Sequence, residues 1–209
     1  MKLSDSLRSG RFLAKIDKER LRDIQRRHVS SANQYAKYTD AKHWLQRNLP
    51  RIRRLELDRP EPKQILDIGC GAGFFLFLAK EFGHSGVGLD VNDHAVCNEL
   101  IDLFGVERKV WRIEALTPLP SFGQKFDLIT AFSTAFHRNA DKSAGWGTPE
   151  WNFFLDDLVD QQLKPGGRIF FEINAGKDKR FFSRAVRELF VAHGAEIDGE
   201  FVSWKPNST

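Results

Sequence analysis

Cysteine is almost missing: the 209 residues contain two, Cys70 and Cys97. That is too few for a disulfide framework or a cysteine-based zinc site, so both read as reduced packing residues of a cytoplasmic protein. Long apolar runs are missing as well. The longest, Phe74 to Ala79, falls far short of the roughly 20 residues that cross a bilayer. The opening MKLSDSLRSGRF has no apolar core of the kind a signal peptide needs, and again a cytoplasmic location with no membrane partner is expected. No internal repeat and no low-complexity tract interrupts the chain. What is present is ordinary for one soluble globular domain able to bury a full core, with 41% hydrophobic and 29% charged residues.

The charge is unevenly placed. Residues 1–60 hold 16 Lys and Arg against 7 Asp and Glu, whereas the remainder hold 16 against 21. A basic segment set against an acidic body attracts anionic partners such as nucleic acid, phosphate or a carboxylated substrate. The alternative is a solvated helical face docked on the domain, and KIDKERLRDIQRR interleaves opposite charges as an exposed helix does.

Periodicity predicts helices over residues 11–28 and 33–57, the second carrying Tyr35, Tyr38, Trp44, Leu45, Leu49, Ile52 and Leu55 at three- and four-residue spacing. The prolines of DRPEPK, residues 58–63, make that stretch a linker. We therefore divide the chain into an N-terminal helical extension, 1–57, and a domain, 58–209. In the domain, strands are predicted at Gln64–Ile68, Ser85–Leu89, Lys109–Ile113, Phe126–Ala131 and Arg168–Ile173, with helices near 73–82, 93–104 and 150–163 between them. A helix over Lys179–His193 and a last strand over Glu196–Trp204 follow. Runs such as ILDI and RIFFEI are apolar without alternation, as in strands covered on both faces. The fold class expected is α/β, a doubly wound and mostly parallel sheet with helices on both faces.

The stretch QILDIGCGAGFF, Gln64 to Phe75, puts three glycines into five positions between a strand and a helix. Glycine admits positive φ and lets a ligand approach the main chain, and in open α/β sheets ligands sit at the carboxyl ends of the strands. A dinucleotide-binding turn requires G-x-G-x-x-G, with nothing bulky at its third glycine. Gly69, Gly71 and Gly73 miss that spacing by one residue, and Phe74 stands where the third glycine belongs. Asp67 adds an anion before the turn, which repels a pyrophosphate and suits a ligand carrying an ammonium group.

DIGCGAG resembles the D/E-x-G-x-G-x-G loop of class I S-adenosylmethionine-dependent methyltransferases. The resemblance continues in order over residues 64–174: GVGLDVN looks like the family's second strand, WRIEALTPLP its third strand and exit, KFDLITAF its fourth, and LKPGGRIFFEIN its turn into the fifth. It implies a Rossmann-like fold and S-adenosylmethionine as cofactor, with S-adenosylhomocysteine as product. It places Asp67, Gly69, Cys70, Gly71 and Gly73 around the cofactor, Asp90 and Val91 at its ribose, Glu114 and Ala115 beside its adenine, and Phe132 at the fourth strand's tip. Asp90, 23 residues after Asp67, has the chemistry and spacing of a carboxylate bonding a vicinal diol. Asp90, Asn92 or Asp93 also suits a helix cap.

The acceptor side is expected beyond the fourth strand, in FSTAFHRNADKSAGWGTPEW, a long connection of the kind that carries function. Family members that methylate planar exocyclic amines carry [N/D]-P-P-[Y/F] there. Phe132, Ser133, Thr134 and Ala135 stand at those positions instead, which disfavours adenine-N6 and glutamine acceptors. No Pro-Cys pair supports cytosine-C5 methylation, and Phe132 replaces the acidic ligand of metal-dependent O-methyltransferases, so no metal is expected. Among general-base types, only histidine titrates near neutrality, and His137 is the catalytic candidate. Arg138, Trp146 and Tyr38 are the acceptor-binding candidates, Arg138 as a clamp for a carboxylate or phosphate and Trp146 as the aromatic residue of this stretch free to line a pocket.

The function expected is methyl transfer to oxygen or nitrogen of a small-molecule acceptor. Two alternatives stand beside it. One is an RNA methyltransferase using the basic segment, although no RNA-binding module is recognisable. The other is a non-catalytic cofactor-binding subunit or a nicotinamide-dependent enzyme. The acceptor and the oligomeric state are left open.

Overall fold

A computed structural model describes residues 9–29, 34–137, 145–175 and 179–206. The described residues form two compact units, one from those within 9–62 and 70–110, the other from those within 63–69 and 111–206.

The first unit starts with a helical turn at 9–13, then α1 (Lys18–His28), a 3-10 turn (Ala36–Thr39) and α2 (Ala41–Arg54). Both expected N-terminal helices are therefore interrupted, each at an aspartate. Asp17 accepts hydrogen bonds from the N–H groups of Glu19 and Arg20, both at 3.0 Å. Asp40 accepts from His43 N–H at 3.0 Å. Aspartate at these positions competes for helical donors and becomes an N-cap. Leu45, Leu49, Ile52 and Leu55 are buried as their spacing requires, and Leu57 with them. Carboxylates farther along this unit hold the N-terminal segment: Glu81 pairs with Lys15, while Glu99 pairs with Arg27 at 2.5 Å and His28 at 2.9 Å.

The unit continues with α3 (Phe74–Glu81), β2 (Ser85–Asp90), α4 (Ala95–Phe104) and β3 (Glu107–Val110), β2 and β3 pairing in parallel with Asp90 opposite Val110. The third strand was expected at 109–113. It ends earlier because β2 offers no partner past Asp90, and Trp111 is left exposed.

The second unit holds β1 (Gln64–Ile68), β4 (Phe126–Phe132), α5 (Thr148–Asp157), β5 (Leu163–Glu172), α6 (Arg184–Ala192), β6 (Glu196–Asp198) and β7 (Phe201–Trp204). A wide π-type turn, Leu158–Gln162, extends α5. β5 begins five residues ahead of the expected Arg168, since Pro165, Gly166 and Gly167 form a bulge inside the strand. Against β4 its register jumps from Phe126 opposite Leu163 to Leu128 opposite Arg168. The expected single last strand is a hairpin that turns at Gly199, φ 59°, and β7 runs antiparallel to β5.

The seven strands are ordered β3-β2-β1-β4-β5-β7-β6 in a mostly parallel sheet, the α/β class expected. β1, β4 and the end of β5 are buried almost throughout. Among the described residues no helix is long and apolar enough to cross a membrane.

Candidate functional site

The turn after β1 holds Gly69, Gly71 and Gly73 at φ 73°, 55° and 79°, all left-handed. Their side-chain positions differ. A Cβ on Gly69 would lie 2.4 Å from Thr134 Oγ1, whereas a Cβ on Gly71 would meet nothing within 4 Å. Gly69 is thus required by packing, and Gly71 borders open space on a strained backbone that only glycine adopts cheaply. Cys70 is buried, and its Sγ lies 2.4 Å from where a Cβ on Gly88 would stand. Its small size fits the bare backbone of β2.

Asp90 ends β2. Its Oδ2 accepts Gly71 N–H and its Oδ1 accepts Val91 N–H, both at 2.7 Å. Burial raises its pKa above the ordinary carboxylate value, despite these two bonds and the nearby Arg108 and His94. The main chain therefore fixes the carboxylate in place while each oxygen keeps a lone pair for another donor.

An aromatic ladder joins the N-terminal segment to this region. Tyr35 stacks on His94 with centroids 3.6 Å apart, Tyr38 lies 6.1 Å from Tyr35 and 4.6 Å from Trp44, and Trp44 lies 6.4 Å from Phe74, the first residue of α3. Burial first, then Cys97, Asp90 and Asp93, raises the pKa of the Tyr35 hydroxyl. Burial and the charge of Asp90 push the Cys97 thiol up to about 12, which makes it inert at neutral pH. Tyr38, expected at the acceptor, sits inside this ladder.

In the second unit Asp67 is 2% exposed and accepts from Thr130 Oγ1 at 2.7 Å. The anion expected to face the turn is therefore buried against a strand. Thr130 was not singled out in the sequence, though a threonine within the apolar run LITAF was a signal for it. Glu114 is exposed and Ala115 half-buried. Phe132 is 9% exposed, its ring 6.1 Å from Phe170.

The exit from β4 carries residues that sequence reasoning missed. Ser133 adopts φ 55° without being glycine. Its N–H donates to Glu172 O at 2.8 Å, its Oγ to Glu172 Oε1 at 3.0 Å, and its carbonyl accepts Asn174 Nδ2 at 2.6 Å. Thr134 Oγ1 donates to Ile68 O at 2.7 Å. Nothing in the sequence marks a left-handed serine.

Trp146 is not free to line a pocket. It is 7% exposed, with Phe136, Trp151 and Phe154 at 4.9, 5.4 and 5.2 Å, and its Nε1 donates to His137 O at 3.0 Å. Four large rings, Phe136, Trp146, Trp151 and Phe154, bury one another, and this tryptophan packs with the rest. His137 is half-buried, forms an antiparallel bridge with Gly145, and its Nδ1 is buried with no hydrogen-bond partner among the described residues. Arg138 lies outside the described residues, as do Asn139 and Asp141.

The methyltransferase-domain family matches residues 35–204. The chain is 27% identical over 150 residues to the 18S rRNA (guanine-N(7))-methyltransferase of Schizosaccharomyces pombe, covering 70% of this chain and 55% of the relative. It is 29% identical over 153 residues to the ubiquinone biosynthesis O-methyltransferase of a Chelativorans species, covering 71% and 51%. An O-methyltransferase family protein from Burkholderia thailandensis shares the fold with a TM-score of 0.53 at 12% identity, over 88% of this chain and 62% of that one. The chain spans about half the length of the curated relatives it matches. With the match running from the aromatic ladder to β7, the chain belongs to the methyltransferase-domain family.

Proposed function

We propose that the protein transfers a methyl group from S-adenosylmethionine to an oxygen or nitrogen of a small-molecule acceptor. The observation that carries this reading is the pairing of Gly71 with Asp90, a strained glycine facing open space and a carboxylate fixed by two backbone N–H groups. This donor set fits a ribose diol. Asp90, with Val91 beside it, takes the two hydroxyls, while Gly69, Cys70 and Gly73 shape the turn. Asp67 acts from beneath the turn as a buried anion, and the N-terminal residues Tyr35 and Tyr38 cover the Asp90 side.

Bound, S-adenosylmethionine supplies a methyl already activated by its sulfonium charge. The chain's own residues then align the acceptor, a contribution on the order of 7–11 kcal/mol where alignment is good. His137 takes the acceptor's proton as the general base. Glu114, Ala115 and Phe132 complete the proposed cofactor-binding set.

The RNA reading has in its favour the basic first 60 residues and the similarity to an rRNA methyltransferase. Against it, Lys15, Arg26 and Arg27 are engaged by Glu81, Asp23 and Glu99. Calorimetry with S-adenosylhomocysteine and NAD tests the cofactor. The first is expected to bind and the second not, and Asp90→Ala should weaken binding by about 1.5–3 kcal/mol, the range for hydrogen bonds to a charged group. Unchanged affinity in a folded Asp90→Ala variant would remove the ribose from Asp90. Binding of mixed RNA that falls steeply with salt would favour the RNA acceptor.

A further inference from the structure

The three bonds between Ser133, Glu172 and Asn174 do more than close a strand end. A left-handed non-glycine residue costs about 1–3 kcal/mol and persists where its surroundings over-determine it. Here Ser133 is held at φ 55° by its own N–H and hydroxyl on Glu172 and by Asn174 on its carbonyl. Thr134, the next residue, is tied to Ile68 O, and its hydroxyl fills the space a Cβ on Gly69 would need. The carboxyl ends of β1, β4 and β5 are thereby locked together, and the side chain fixed among them is a carboxylate. Its register partners are Phe132 on β4 and Phe201 on β7. Ligands of open α/β sheets lie over these strand ends.

We propose that Glu172 is a specificity-determining residue for the acceptor, selecting compounds that present a cationic nitrogen or a hydrogen-bond donor and rejecting carboxylated and phosphorylated ones. The selection is by charge: an anion held in place attracts an ammonium and repels another anion. Ser133 is the positioning residue that keeps the carboxylate aimed. This inference rests on the methyl-transfer reading above.

Three probes sharing one ring test it: benzylamine, benzyl alcohol and benzoate, titrated into the protein saturated with S-adenosylhomocysteine. The wild type should bind benzylamine most tightly and benzoate least. Glu172→Gln keeps the shape and a hydrogen-bonding oxygen, and should shrink the benzylamine-to-benzoate affinity ratio about tenfold or more. Ser133→Gly accepts the same φ without the hydroxyl, and should shrink the ratio by a smaller factor. A ratio unchanged in Glu172→Gln, a wild type that prefers benzoate, or no binding of any probe with S-adenosylhomocysteine bound would each overturn the proposal. Failure of the wild type to bind S-adenosylhomocysteine at all would instead sink the methyl-transfer reading beneath it.

Discussion

The turn around Gly71 and the exit from β4 solve the same problem with different materials. At the turn the polar contacts are main-chain ones: Asp90 is fixed by the N–H groups of Gly71 and Val91, and the space beside Gly71 is left by a missing side chain. At the β4 exit the contacts run between side chains and strained backbone, through Ser133, Glu172, Asn174 and Thr134. Donors supplied by the main chain survive most single substitutions. A site made of side chains is altered by single substitutions, which suits the part of an enzyme that chooses its acceptor.

The widest gap between the two regions should appear in rate. His137→Ala is expected to cost 10²–10⁴ in turnover, the usual range for losing a general base, while affinity for S-adenosylhomocysteine stays unchanged. The substitution is clean. The bridge to Gly145 and the bond from Trp146 Nε1 use only the backbone of residue 137, and among the described residues the buried Nδ1 has no partner to orphan. Release of S-adenosylhomocysteine across an acceptor panel reads the rate, and the thermal midpoint verifies folding. A rate within a few-fold of wild type would leave catalysis to alignment alone.

The same contrast decides what could be read from the sequence. The glycine turn, Asp90 and the order of strands rest on local signals, the spacing of glycines and the absence of alternation in ILDI and RIFFEI, and the structure carries these elements at or near the expected positions. Boundaries set by a single competing group were harder. Asp17 and Asp40 cut two predicted helices because a carboxylate beside a helix takes backbone donors, an effect that periodicity ignores. The bulge at Pro165 to Gly167 was read as a turn because the pairing that absorbs it is 37 residues away in the chain, at Phe126 opposite Leu163. Ser133 and Glu172 were illegible for a similar reason, as their importance arises from a contact 39 residues apart. Trp146 was misjudged because exposure was inferred from a loop position, and four aromatic rings packed together exclude water wherever the chain places them.

Gly69 and Gly71 sharpen the comparison at the next scale, since they share a backbone region but not a neighbour. Gly69→Ala combines left-handed strain of roughly 1–2 kcal/mol with overpacking of roughly 1–3 kcal/mol against Thr134. It should lower stability by about 2–5 kcal/mol in urea unfolding. Gly71→Ala meets open space, so only the strain of roughly 1–2 kcal/mol remains, and its main effect should be on S-adenosylhomocysteine affinity. Adding Thr134→Ala to Gly69→Ala removes the atoms lying 2.4 and 2.8 Å from the new Cβ. It should recover the overpacking part and make the pair less than additive. Equal destabilisation by the two glycine substitutions would erase the distinction.

The smallest effect is a difference in sign between two aspartates. Burial pushes the Asp127 carboxyl up, but Gln64 N–H at 2.7 Å, Lys164 Nζ at 3.0 Å and the charge of Lys63 outweigh it and hold its pKa below the ordinary value. A depressed folded pKa contributes stability that is present above the unfolded value, about 3.9, and is lost as pH falls through the folded one. Asp90 is the reverse case. Burial exceeds the help from Gly71, Val91, Arg108 and His94, and its pKa is raised. Its contribution is present below the unfolded pKa and lost as pH rises through the folded one, so it works against the folded protein on the neutral side. Asp157, also raised by burial, adds to that window, so the informative quantity is the change of slope in each single variant. Urea midpoints measured from pH 3 to 7 should show Asp127→Asn losing part of the decline below about pH 4, and Asp90→Asn losing part of the decline that begins above it. Asp127 is about one-third exposed, its side chain 34% accessible, and salt should shrink its share further. An Asp90→Asn variant with the wild-type slope on the neutral side would mean that the two N–H bonds compensate its burial in full. The carboxylate that suits the ribose would then impose no cost on folding.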